Sequence, residues 1–174
     1  MVYKLTPNSD GTWTESVLHS FTGGRDGAYP VGTLIFDSAG RLYGNSAQGS
    51  LGLGNVFKLT LAANGKWYEH VLYMFRGNQD GAYPSGGVVL DTAGNLYGTT
   101  NAGINTHGGV GQLFKLVPRR WYWPKYTLHW FEGPPRDGAD SWSPVVFDAA
   151  GNLYGTAYDG WNTGCCGVVF EYIK

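Results

Sequence analysis

Apolar residues gather in short extended runs of five or six along most of the chain, and no segment shows a convincing helix-face spacing. Four runs stand out in the middle: GGVVLD (86–91), NLYGTT (95–100), QLFKLV (112–117) and YTLHWF (126–131). Each is bounded by Gly, Pro, Asp or Asn and reads as a β-strand; we label the four A, B, C and D. The DTAG between A and B is a tight-turn signal, because Asp91 can bond backbone amides and Gly94 accepts a positive φ. The pattern predicts an all-β chain with helix content close to nil.

The same four runs recur. AGRLYG ends at Gly44 and AGNLYG at Gly98 and Gly155, while DGA starts at Asp26, Asp80 and Asp137, so the copies lie about 55 residues apart. VYKLT, VFKLT, LFKLV and VVFEY mark the C register, and VLHSF, VLYMF and TLHWF mark D. Four antiparallel strands in a unit of this size predict a β-propeller blade.

The motifs DTAGNLYG and DAAGNLYG resemble the NHL-type and gluconolactonase-like six-bladed propellers. The longer pattern, F-x-G-x-x-DGA-x-P followed by D-x-AGNLYGT and G-x-VFKL, resembles the GloVer-type tandem repeat of bacterial proteins over all three units. The third unit departs from it, with one extra residue before DGA and Ser141 in place of proline. The resemblance implies a propeller and says little about activity.

The chain opens with C and D (1–21), continues with two full units (31–75 and 86–131) and ends with A, B and C (142–174). Three blades do not easily close a ring. Open sheet edges invite association. A homodimer with three blades per chain would make a six-bladed propeller, the C–D pair of one copy completing the A–B pair of the other. One C copy per chain is then spare. The alternative is a fragment of a longer array.

Composition narrows the partners. Aromatics at 16% and Gly at 28 of 174 suit short strands and tight turns, while a formal charge of −1 makes no case for nucleic acid or an anionic membrane. No stretch approaches the ~18 apolar residues of a membrane span, and MVYKLTPNSDG lacks a basic-then-apolar leader pattern. The adjacent Cys165 and Cys166 imply no disulfide framework.

The D-to-A and B-to-C connections are expected on one rim. Asp26, Asp80 and Asp137 would either cap their own turns or form a ring of carboxylates for a hard cation such as Ca²⁺. His107, in a glycine-rich B–C loop, is a candidate base or metal ligand, and Cys165 a candidate thiolate partner for Zn²⁺. Asp140 and Ser141 stand where the other units have Tyr–Pro, and Trp142 where they have Val31 and Ser85, which predicts either a small-molecule contact or repacking beside a seam. Tyr29, Tyr83, Trp142 and Trp161 are the aromatic candidates for a ligand platform. Two functions follow as expectations. One is a metal-dependent hydrolase of esters, lactones or phosphoesters, with His107 and Asp140 as its catalytic groups. The other is a non-catalytic module that binds glycan or another surface ligand.

Overall fold

The computed structural model describes residues 1–49, 51–103, 110–160 and 166–174. It is all-β, and among the described residues the helical structure is one 3-10 turn, Asn78–Asp80. A hairpin comes first, β1 (Val2–Pro7) with β2 (Trp13–His19). Unit one is the meander β3 (Ala28–Phe36), β4 (Leu42–Gln48), β5 (Asn55–Leu61) and β6 (Trp67–Met74). Unit two repeats it with β7 (Ala82–Leu90), β8 (Leu96–Ala102), β9 (Gln112–Leu116) and β10 (Lys125–Trp130). Unit three has β11 (Val146–Phe147), β12 (Leu153–Ala157) and β13 (Val168–Tyr172). The inner strands β3 and β7 meet in parallel at Thr33 and Gly87, which joins units one and two into one curled eight-stranded sheet.

Strand A starts earlier than the apolar runs predicted, at Ala28 and Ala82, and takes in the Tyr–Pro pairs. A register shift then interrupts it, between Val31 and Ile35 in unit one and between Pro84 and Val88 in unit two. The bulge brings glycine against the neighbouring unit. A Cβ at Gly32 would overlap the backbone of Gly86 and Gly87, and one at Gly86 would overlap the Ser143 carbonyl.

The repeated letters each have a structural cause. In the A–B turns Asp37 and Asp91 accept two backbone amides apiece at 2.9–3.0 Å, and Tyr43 and Tyr97 donate their hydroxyls to the same carboxylates at 3.0 Å. Asp148 and Tyr154 repeat the pairing at 3.4 Å. Gly44, Gly98 and Gly155 are required because the rings of Phe57, Phe114 and Phe170 lie over them. Those rings receive the last aromatic of the preceding D run, in the pairs Phe21–Phe57, Phe75–Phe114 and Phe131–Phe170, edge-on at 5.1, 5.2 and 5.1 Å. Such pairs add about 1 kcal/mol beyond the area they bury.

The apolar core therefore lies between units rather than within them. Val2 and Leu18 of the hairpin close on Leu42, Phe57 and Leu59. Tyr43, Val56 and Ile35 of unit one close on Val88, Leu96 and Phe114 of unit two. Tyr97, Leu113 and Val89 of unit two close on Val145, Leu153 and Phe147 of unit three. We call these the first, second and third seams.

Candidate functional site

Each unit is tied to the next along one rim. The B–C loop of unit one accepts from the next inner strand, Tyr83 N–H donating to the Leu53 carbonyl at 2.9 Å. Asp140 N–H donates to the Val110 carbonyl at 3.3 Å in the same way. The loop also holds the end of its own D run, with Phe75 N–H on Gly54 and Phe131 N–H on Gly111 at 3.0 and 3.1 Å. Among the described residues, the ends of these loops at Leu53, Gly54, Val110 and Gly111 are thus fixed by main-chain bonds.

The three aspartates of the DGA motif sit in the D-to-A connections of this rim, and each bonds its own loop. Asp26 accepts from Thr22 N–H at 2.7 Å and Thr22 Oγ1 at 2.6 Å. Asp80 accepts from Arg76 N–H at 2.8 Å and from the Tyr73 hydroxyl. Asp137 accepts from Glu132 and Gly133 N–H at 2.6 and 3.0 Å. His129 Nε2 lies 2.6 Å from Asp137 Oδ2, and His19 Nε2 lies 3.5 Å from Asp26 Oδ2. The D-strand register of His19, Tyr73 and His129 thus supplies one partner to each aspartate. Burial opposes ionisation of Asp26, but the Thr22 bonds and His19 outweigh it and hold the carboxyl below its ordinary range. Among the described residues no group of three or more His, Cys, Asp or Glu side chains is placed to hold a metal ion. His107, Cys165 and Trp161 lie outside the described residues, and Cys166, at their border, is exposed with a φ of 75°.

Tyr29, Tyr83 and Asp140 occupy one register, the second residue after each DG, and all three are left-handed, with φ of 53°, 56° and 54°. For a tyrosine this conformation costs roughly 1–2 kcal/mol, whereas aspartate tolerates it through local hydrogen bonding. Both tyrosines nonetheless reach solvent, at 68% and 38% exposure. Asp140 is instead half-buried, next to a backbone bridge between Ala139 and Asp159. Burial first, and the Asp159 charge second, push its carboxyl above the ordinary aspartate range.

Trp142 has a different setting. Its counterpart Ser85 is buried and donates its hydroxyl to the Ser141 carbonyl of the following unit at 2.8 Å. In unit two that position therefore faces onward toward the next unit. In unit three nothing follows among the described residues, and the indole stands exposed.

A second charged cluster was not foreseen from the sequence. Lys125, on β10, reaches across the second seam to Asp80 at 3.5 Å and donates to Gln112 Oε1 at 2.6 Å, with its side chain only 6% exposed. Burial lowers its pKa, and Asp80 pulls the other way. Cross-strand pairing with Leu59 and Leu116 shows that Glu69 holds the same position on β6. Glu69 Oε1 is buried without a hydrogen-bond partner, and burial, then the nearby Asp26, raises its pKa to about 7.

A family model, the Gloeobacter/Verrucomicrobia repeat, matches residues 1–174. No curated protein and no solved structure matches the chain.

Proposed function

The chain belongs to the Gloeobacter/Verrucomicrobia repeat family, and on that footing we propose that it is a propeller-type ligand-binding module whose platform is the tyrosine register of the rim. The observation that carries this is the left-handed backbone of Tyr29 and Tyr83. A strained residue whose ring stays in solvent is not held there by packing, and such outliers gather at binding sites. Exposed tyrosine faces on a rigid rim suit the apolar face of a sugar ring, so the ligand class is a glycan. Calorimetric titration with a panel of neutral oligosaccharides tests this. Binding should be present in the native chain and lost in the Tyr29→Ala, Tyr83→Ala double variant. Absence of binding at millimolar sugar, or its survival in the double variant, removes the reading.

A hydrolase is the second reading, favoured by the half-buried Asp140, whose carboxyl is raised by burial and then by the Asp159 charge. An aspartate whose carboxyl is raised by burial and by a second acidic residue is a candidate general acid. In this reading His107 and Cys165, which lie outside the described residues, would be the ligands of a Zn²⁺ ion. An ester, lactone and phosphoester panel with and without chelator tests it, with Asp140→Asn expected to abolish turnover.

A further inference from the structure

The third unit turns outward a face that both other units bury. Val146 corresponds to Ile35 and Val89, since each pairs with the tyrosine of its B strand (Tyr154, Tyr43 and Tyr97). Ile35 and Val89 pack into the second and third seams, whereas Val146 is exposed. Trp142 of the same unit is likewise exposed, at 59%. At the other end of the chain the opposite face is open. Leu34 is 42% exposed, while its counterparts Val88 and Val145 are 0% and 1%. Phe36 is exposed where Leu90 and Phe147 pack into a seam. A groove of about 480 Å³ runs between this face and the hairpin, lined by Val2, Tyr3, Leu5, Val31 and Leu34 among others. It lies where the A and B strands of a complete unit would sit, beside the edge of β1 that β2 does not pair.

We propose that β11 and β12 of a second copy of this chain fill that groove, and that the same contact made twice closes a two-copy ring. The two internal seams are the template: they bury these same two faces against each other, in this order, within one chain. The contact is heterologous, one face of unit three on the opposite face of unit one, and two copies related by a two-fold axis satisfy both. β1 and β13 hold equivalent registers, Val2 and Val169 each pairing as Val56 does, so the joined unit uses one of them.

This seam differs from the internal ones in one respect. Gly32 and Gly86 allow backbone contact between units, but their counterpart in unit three is Ser143, whose Cβ prevents an identical approach. The copies therefore stand farther apart at that level. Trp142, in place of Val31 and Ser85, fills the added space.

Sedimentation equilibrium of the full chain at micromolar concentration should give twice 18.9 kDa. Val146→Asp and Leu34→Asp should each give a folded monomer by circular dichroism, since both side chains are already exposed in the single chain. Mixing those two monomers should restore a dimer held by one intact contact, the unit-three face of the Leu34→Asp chain on the unit-one face of the Val146→Asp chain. Trp142→Ala should raise the dissociation constant at least tenfold without loss of fold. A monomeric native chain, open-ended polymers, dimeric single variants, an unrestored mixture or an unchanged dissociation constant for Trp142→Ala would each overturn the proposal.

Discussion

The first and second seams are built on one framework and differ in charge. Both have the edge-on Phe pair, the aspartate that accepts from its own loop, and a D-strand side chain aimed at that aspartate. At the position that reaches toward the aspartate, the second seam has Lys125 and the first has Glu69. The lysine closes a charge pair. The glutamate adds a second carboxyl beside Asp26 and keeps an unpartnered buried oxygen. The framework thus comes from backbone contact and aromatic packing, and the seam's electrostatics are set separately by one side chain.

The largest effect should come from the shared framework. Phe75→Ala, at a fully buried ring in the second seam, should cost about 4 kcal/mol in urea unfolding. Phe21→Ala, at a partly exposed ring in the first seam, should cost about half that, following the area lost from water. Equal losses would show that the seams are packed alike.

Lys125→Ala should come next, at about 3 kcal/mol, because it leaves Asp80 and the buried Gln112 oxygen without their cation. A loss below ~1 kcal/mol, the range of an exposed pair, would place Lys125 in solvent.

Glu69 gives a smaller effect with a definite sign. Its folded pKa, about 7, lies above the ordinary value of 4.5, so between these pH values the folded chain binds more protons than the unfolded one. Stability therefore falls as pH rises from 4.5 through 7. Glu69→Gln should flatten that part of the profile and stabilise the chain at pH 8 by about 1 kcal/mol, a figure reduced for the group's partial exposure. Glu69→Lys should do at least as well by supplying Asp26 with the cation Asp80 already has. A wild-type profile flat from pH 5 to 8 would contradict the assignment.

Much of this framework was legible in the sequence. Short apolar runs and Gly/Asp punctuation mark the strands because strand and turn preferences are local. The turn function of Asp91 was legible too, since its partners lie within six residues. What was not legible depends on contacts between units. Lys125 meets Asp80 only because two meanders stack, so neither residue announces the other. For Trp142 the substitution was visible, but the open face it occupies follows from the bulged inner strand and its glycine contact with the neighbouring unit. The left-handed register at Tyr29, Tyr83 and Asp140 was half visible. Aspartate at such a position is ordinary, while tyrosine gave no local sign of it.

That register carries the central claim, that the rim tolerates strain at Tyr29 and Tyr83 in order to present their rings to a ligand. The most direct measurement pairs a thermal melt with an oligosaccharide titration on Tyr83→Asn. Asparagine accepts the left-handed backbone, as Asp140 does in unit three. The account predicts changes of opposite sign: stability higher by roughly 0.5–1 kcal/mol and affinity lower by tenfold or more. Lower stability with unchanged affinity would show that Tyr83 is a packing residue, and would contradict the account.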